Sequence, residues 1–358
     1  MIAGPRARVG LSALRHNLAA VRRTAPSARV LAVVKANAYG HGLVPVARAL
    51  GDSDGFAVAR LDEALLLRRA GVNGTIVVLE GAFAAGELDQ VAAHALDVVV
   101  HAWWQIELLE SRSERRTFRI WLKVDTGMNR LGFRVEECGA ALERIRACPA
   151  VDGVPRLMTH LALADALERC GTRTQLERFA AAAGSSGCEL SIANSAGVLA
   201  WPESHADWVR PGIMLYGVSP FSDRIAGSLG LEPAMTLETS VIALREVKAK
   251  ESVGYGATWV ASEDCRVAIA AIGYGDGYPR HLPSGAPVFV SGQIAPLVGR
   301  VSMDMIAIDV SGVPDIAVGS TVELWGRNLP VEHVASAAGT IAYELVCGIS
   351  QRVAVTWE

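Results

Sequence analysis

Apolar and polar positions follow two different rhythms along the chain, and the rhythm changes near residue 231. Before that point, short runs of β-branched and small apolar residues recur between longer alanine- and leucine-rich stretches. The runs at 30–34, 55–59, 75–79, 96–100, 119–124, 155–159, 190–193 and 208–209 predict strands buried on both faces, because they are continuous rather than alternating. The stretches 11–23, 61–70, 84–93, 135–147 and 175–183 predict helices; Leu11, Leu14, Leu18 and Val21 share one face of the first. About eight such βα units close a TIM barrel, with a doubly wound open sheet as the alternative. No glycine-rich G-x-G-x-x-G follows the first run, which weakens a dinucleotide-binding reading.

The last third reads as short strands at 267–272, 287–291, 294–298, 305–310 and 321–325. Turns such as Ser284-Gly285 and Ser291-Gly292 separate several of them. The expected fold class is therefore α/β: a (β/α)8 barrel over 1–231 and a mostly-β, barrel-like domain over 232–358. The first few residues are expected to pack with the second domain. No long Gly/Ser linker divides the two.

Polar residues stand at the ends of the apolar runs. Lys35 ends the first; Asp125-Thr126-Gly127-Met128-Asn129-Arg130 follows the fifth, His160 the sixth, Asn194-Ser195 the seventh and Arg210-Pro211-Gly212 the eighth. In a TIM barrel all of these converge on the C-terminal mouth, where active sites lie. A lysine at the end of a buried strand has a partly desolvated amine, which lowers its pKa and favours the neutral nucleophile. Such an amine suits a Schiff base with a carbonyl, pyridoxal phosphate included. The ordinary alternative is a lysine that snorkels to water.

Bulk properties narrow the setting. The chain has 358 residues, a net charge of −3 and 51% hydrophobic residues, so it is globular and has no charge reason to bind nucleic acid or a membrane surface. Residues 1–8 contain no apolar core of a secretory signal, and no run reaches membrane-spanning length; a cytoplasmic protein is expected. Six cysteines without a CxxC pair read as reduced thiols, with neither a disulfide framework nor a metal site.

The string Lys35-Ala36-Asn37-Ala38-Tyr39-Gly40-His41-Gly42 is long and specific. With Arg210-Pro211-Gly212-Ile213-Met214-Leu215-Tyr216-Gly217, Val253-Gly254-Tyr255-Gly256-Ala257-Thr258-Trp259, Gly273-Tyr274-Gly275-Asp276-Gly277-Tyr278, Gly299-Arg300-Val301-Ser302-Met303-Asp304 and Tyr343-Glu344-Leu345, it resembles the alanine racemase family nearly end to end and in family order. The resemblance implies a pyridoxal phosphate enzyme that interconverts L- and D-alanine by a two-base mechanism and supplies D-alanine for peptidoglycan. Lys35 matches the cofactor lysine and one base. Tyr255, contributed by the partner subunit of a homodimer, matches the second. Tyr39, Asn194, Ser195, Gly212, Ile213 and Tyr343 match cofactor-binding positions, Tyr343 also lining the entrance.

Arg210 matches the arginine facing the pyridine nitrogen. A guanidinium cannot accept a proton at working pH, so it leaves that nitrogen unprotonated and the ring a weaker electron sink. Decarboxylases of similar layout place a carboxylate there, which argues against them; an arginine bonded to loop carbonyls is the plain alternative. An ordinary tyrosine, with a pKa of about 10, is a poor base at neutral pH; His160 and Arg210 match the pair that favours the phenolate. Arg130 and the backbone at Met303, the latter from the partner, match substrate-carboxylate donors, with Asp304 in support. Tyr274 and Arg300 match entrance positions. Lys123 aligns with a lysine carbamylated in some members, an ordinary buried ion pair being the alternative. Ala342 and Gly275 depart from the family pattern. The rival functions are a serine or broad-specificity racemase on the same scaffold and a non-catalytic pyridoxal phosphate carrier.

Overall fold

The computed structural model describes residues 4–112 and 116–358, so the expectations for residues 1–3 lie outside the described residues. Two compact units result. One comprises Asn17–Ala38 and Leu43–Leu215; the other comprises the chain up to His16, Tyr39–Gly42 and Tyr216–Glu358.

In the first unit, parallel strands Arg29–Val33, Gly55–Val58, Thr75–Val78, Asp97–Val100, Arg119–Asp125, Arg156–Met158, Leu190–Ser191 and Trp208–Val209 follow one another around a ring. The last pairs with the first, Trp208 opposite Arg29 and Val209 opposite Val30, so the sheet closes and the open-sheet alternative is excluded. Gly55–Val58 and Asp97–Val100 are buried at every position, which explains their unbroken apolar sequence. Helices Leu61–Arg69, Ala85–Ala93 and Cys138–Ala147 lie where their periodicity places them. Gly171–Ala183 starts earlier than its apolar spacing suggests. Leu43–Ala49 and Trp103–Glu110 are further helices; Pro45 sits in the first turn of the former, where its missing N–H does no harm.

A charged network joins the amino-terminal ends of the barrel strands. Asp97 accepts from Arg119 Nε at 2.6 Å, Arg156 Nη1 at 3.1 Å and Trp121 Nε1 at 3.0 Å. Glu189 pairs with Arg29 Nη2 at 2.5 Å and Arg156 Nε at 2.8 Å, and accepts from Trp208 Nε1 at 3.0 Å. The Arg29 guanidinium lies 4.2 Å from the Trp208 ring centroid, so the cations are used on both faces.

The second unit closes in its own way. Met235–Val247 pairs antiparallel with Thr321–Trp325 at one end and with Cys265–Ala270 at the other. Ile306–Asp309, Gln293–Val298 and Pro287–Val290 complete an antiparallel ring between those two partners. Arg6–Val9 lies antiparallel to Met235–Val247 and parallel to Ala354–Trp357. The long strand is hidden in the sequence because Glu238, Thr239 and Ser240 are polar yet buried, and its register shifts twice. Glu238 tolerates burial because Arg6 Nε and Arg8 Nε donate to it at 2.5 and 3.1 Å. Tyr278 and Trp325, both fully buried, stack with ring centroids 6.3 Å apart in this unit's core.

Burial alone would raise the pKa of Glu189, but hydrogen bonds from Trp208, Arg29 and Arg156 outweigh it and lower the carboxyl from 4.5 to about 2. A depressed carboxyl contributes stability above its unfolded pKa and loses it as pH falls through the folded one. Thermal melts should therefore lose stability between pH 4.5 and about 2 more steeply in the natural protein than in Glu189→Gln; parallel curves would remove this role for the network.

Candidate active site

Five neighbouring strands of the barrel carry the polar strand-end residues. Around the ring, Arg119–Asp125, Arg156–Met158, Leu190–Ser191, Trp208–Val209 and Arg29–Val33 are consecutive. Lys123 with Arg130, His160, Asn194-Ser195, Arg210 and Lys35 therefore lie along one arc of the carboxyl-terminal mouth. Backbone bonds extend the pairing past the strand ends: Val33 N to Pro211 O at 2.9 Å, Arg210 N to Ala193 O at 2.9 Å and Thr159 N to Ser191 O at 3.1 Å.

The arc is strongly basic. Burial first, then Arg210, Arg130 and Lys35, lower the Lys123 ammonium to about 8, against an opposing pull from Asp125. Burial first, then Arg210, Lys123, Arg130 and Lys35, push His160 well below the ordinary histidine range, so its ring is neutral at neutral pH. Arg210 is buried, and burial lowers its guanidinium to about 10, which leaves it charged at neutral pH. It donates to Ser191 Oγ at 2.7 Å, Thr159 O at 2.5 Å and Ile192 O at 3.3 Å. Bonding to loop carbonyls thus holds in fact, and it anchors the side chain just before His160.

Ser195 is buried at the start of the helix Ser195–Ala200. Its Oγ accepts from Gly212 N at 2.9 Å and Met214 N at 3.3 Å, leaving the hydroxyl proton for another acceptor. Asn194 caps the same helix, its Oδ1 accepting from Gly197 N at 3.0 Å, while its Nδ2 donates to Leu161 O at 3.2 Å. Ile213 is buried beside these amides in the sequence.

After Lys35 the backbone turns left-handed: Ala36, Asn37, Ala38 and Tyr39 have φ of 53°, 53°, 54° and 51°. Such a run is disfavoured for side-chain-bearing residues by roughly 1–2 kcal/mol each. Ala38 N bonds Val34 O at 2.9 Å, Leu43 N bonds Asn37 Oδ1 at 2.9 Å, and Ala36 N bonds Glu63 Oε1 at 2.6 Å.

Tyr39 and Tyr343 belong to the second unit, with ring centroids 6.2 Å apart. Burial, then Tyr343 and Cys347, raise the Tyr39 phenol, which keeps it a hydrogen-bond donor. Tyr255, Tyr274, Arg300, Met303 and Asp304 form a separate group in the same unit. Tyr255 opens a tight turn with Gly254 and Gly256 at φ of 80° and 74°. A Cβ on Gly256 would come within 3.2 Å of Arg300 Nη1, so the turn packs against that arginine. Tyr274 N donates to Ser302 O at 3.0 Å and Gly275 N to Met303 O at 2.9 Å. Arg352 joins the two loops, with Nη2 to Asp304 Oδ1 at 2.6 Å and Nε to Asp276 Oδ1 at 3.3 Å. Gly275 has a reason: a Cβ there would meet Arg352 Nη1 at 2.4 Å.

Sequence reasoning did not single out Gln175, Arg352 or Glu63. Buried Gln175 donates to Thr126 Oγ1 at 3.1 Å and His160 O at 3.0 Å, and accepts from Ala162 N at 2.8 Å. It ties the loop bearing Arg130 to the loop bearing His160. The available signal was a glutamine on the same helix face as Phe179 and Ala183. Asp125, inside a string already noted, accepts from Gly127 N at 2.9 Å and Asn129 N at 3.0 Å, shaping the turn before Arg130. Among the described residues, no group of His, Cys, Asp and Glu is placed to hold a metal, and no helix is long and apolar enough to cross a membrane.

Comparison with known proteins agrees with this arrangement. Family models described as alanine racemase, N-terminal domain, and alanine racemase, C-terminal domain, match residues 9–220 and 234–357. The chain is 52% identical over 347 residues to the alanine racemase of Aeromonas hydrophila, covering 97% of each. It superposes on the crystal structure of biosynthetic alanine racemase from Pseudomonas aeruginosa with a TM-score of 0.97 and 46% identity, covering 100% of both chains. The Bartonella henselae alanine racemase structure with covalently bound pyridoxal phosphate matches with a TM-score of 0.89 and 29% identity, over 99% of this chain and 100% of that one.

Replacing Gln175 by Leu would orphan the His160 carbonyl and the Ala162 amide. Both groups are only part-buried, so each costs toward the low end of the about 1–3 kcal/mol of a buried orphan, and chemical denaturation of Gln175→Leu should show a loss of roughly 2 kcal/mol; a loss under ~1 kcal/mol would mean the loops hold without it.

Proposed function

The chain belongs to the alanine racemase family, a family of isomerases, and we propose that it interconverts L- and D-alanine on pyridoxal phosphate carried by Lys35. The observation that carries this reading is the basic arc, where Arg210, Arg130 and Lys35 act electrostatically on Lys123 and, with Lys123, on neutral His160. A phosphate dianion and a substrate carboxylate answer that field, and an aldehyde answers the amine. In the barrel unit the residues fit the cofactor: the Ser195 hydroxyl, whose Oγ the Gly212 amide already orients, would hold the phosphate with Ile213 and Asn194, and Arg210 would face the ring nitrogen; the family resemblance alone assigns the phenols of Tyr39 and Tyr343 to the same phosphate. Bound pyridoxal phosphate supplies an electrophilic carbon and an electron-withdrawing ring that acidifies the substrate Cα–H.

The remaining work falls to side chains. Lys35 Nζ, once released from the cofactor, takes or returns the Cα proton on one face. The Tyr255 hydroxyl of the partner subunit does so on the other. Arg210 keeps its protons and offers none of its nitrogens as an acceptor, which limits charge build-up on the ring and with it side reactions. His160, in concert with Arg210, poises the second base. Arg130 and the Met303 backbone of the partner hold the substrate carboxylate, and Asp304 supports them. Tyr274 and Arg300 line the entrance. Lys123, lowered to about 8, has a neutral fraction able to add carbon dioxide, and a carbamate there would orient Arg130.

Several exposed apolar side chains support a homodimer. Tyr255, Met303 and Met305 are 70%, 52% and 44% exposed, and the loops that bear them belong to one unit. Grouped large apolar residues in water mark an interaction surface. Under this reading the domains divide functionally near residue 231, with cofactor binding in 1–231 and the entrance loops in 232–358. The setting is cytoplasmic, with D-alanine delivered to peptidoglycan synthesis.

Polarimetry on D-alanine with purified holoenzyme, run beside serine, lysine and arginine, tests the assignment: rotation should vanish fastest with alanine. Lys35→Ala should abolish both the Schiff-base absorbance and turnover. Tyr255→Phe should retain the absorbance and lose at least about 100-fold in kcat, as expected for loss of a proton-transfer group. Natural rates in Tyr255→Phe would refute the two-base scheme.

A further inference from the structure

Glu63 makes one contact that ordinary helix capping does not explain. It lies in the first turn of the helix Leu61–Arg69, and its Oε2 accepts from Ala59 N at 2.9 Å and Arg60 N at 3.3 Å. Those bonds are what an acidic residue at that position normally does. Its Oε1 instead reaches out of the helix to Ala36 N at 2.6 Å, the amide directly after Lys35. That amide opens the left-handed run of Ala36, Asn37, Ala38 and Tyr39, a conformation side chains disfavour and surroundings must enforce.

We propose that Glu63 is the positioning residue for Lys35: its carboxylate bridges the ends of two adjacent barrel strands and thereby fixes the direction in which the lysine leaves the barrel. The assignment rests on the proposed role of Lys35 as cofactor lysine. The direction of the Ala36 amide sets ψ of Lys35, and with it the line along which the side chain departs. Strand Gly55–Val58 already lies beside strand Arg29–Val33, and Val34 N bonds Ala57 O at 2.9 Å. Glu63 extends that pairing one step past each strand end, from Ala59 to Ala36. An ionised carboxylate can accept on both oxygens at once; a carboxamide can accept on one only. Charge-assisted acceptance of a backbone N–H is also stronger than its neutral counterpart.

The test uses holoenzyme and a reading independent of turnover: the rate at which hydroxylamine strips pyridoxal phosphate from Lys35, followed by the cofactor absorbance. Misplacing a reacting group by an ångström costs on the order of 100-fold, so Glu63→Ala should lower kcat at least about tenfold and raise the stripping rate by a similar factor. The KM for alanine should stay within about twofold, because Arg130 is untouched. Glu63→Gln, which is isosteric and keeps one acceptor, should fall between the natural protein and Glu63→Ala on both readings. It decides the case if the alanine variant does not fold. Natural stripping rate and kcat in Glu63→Gln overturn the proposal, as does a Glu63→Ala that loses only melting temperature. If the unsubstituted protein itself neither shows the Schiff-base absorbance nor racemises alanine, the cofactor reading fails instead.

Discussion

Crowded positive charge at one end of the barrel is the constraint on which the rest of the structure turns. Arg210, Arg130 and Lys35 crowd Lys123 closely enough to weaken its hold on a proton, and with Lys123 they do the same to His160. Asp125, the carboxylate that opposes them at Lys123, is already engaged by Gly127 N, Asn129 N and Arg134. A folded chain sustains such a field only where something else compensates, and buried Arg210 shows how: its guanidinium leans on Thr159 O, Ile192 O and Ser191 Oγ. The opposite end of the same strands is built the other way, with Arg29, Arg119 and Arg156 each matched to Asp97 or Glu189. One end of the barrel is neutralised and the other gathers cations, as expected where the carboxyl-terminal face carries function and the amino-terminal face stability.

The second unit presents exposed apolar side chains of its own. Tyr255, Met303 and Met305 stand in water on loops that glycines make possible: Gly254 and Gly256 at positive φ, and Gly273 and Gly275 where any Cβ would strike the Ser302–Met303 backbone or Arg352. These loops are tightly bonded to one another although their tips are exposed. Rigid presentation of exposed phenol and thioether groups suits docking onto another surface better than movement within one chain.

Much of this was legible in the sequence. Parallel barrel strands such as Gly55–Val58 are buried on both faces and therefore announce themselves as unbroken apolar runs, and their polar ends mark the mouth. Met235–Val247 escaped notice because its buried Glu238 is polar for the sake of Arg6 and Arg8, partners more than 200 residues away. Arg6–Val9 and Ala354–Trp357 are too short to show a period, and they exist only by pairing with each other and with that strand. In the site, Lys35 and Arg210 stood out because each opens a long, specific string, Lys35-Ala36-Asn37-Ala38-Tyr39-Gly40-His41-Gly42 and Arg210-Pro211-Gly212-Ile213-Met214-Leu215-Tyr216-Gly217. Gln175 and Glu63 did not, because a glutamine on a helix and a glutamate in its first turn are ordinary. Only the atoms they reach, His160 O and Ala36 N, set them apart.

Mixed dimers give the most direct test that a lysine of one barrel works opposite a phenol of the sister chain. Neither Lys35→Ala nor Tyr255→Phe alone retains an intact site, whichever way the site is assembled. When the two variant subunits are combined, a site shared between chains is rebuilt once in each hybrid dimer, so racemisation of alanine should reappear at up to about half the natural activity per hybrid. If hybrids of verified composition stay as inactive as their parents, Lys35 and Tyr255 do not act together across an interface, and the account of the active site is wrong.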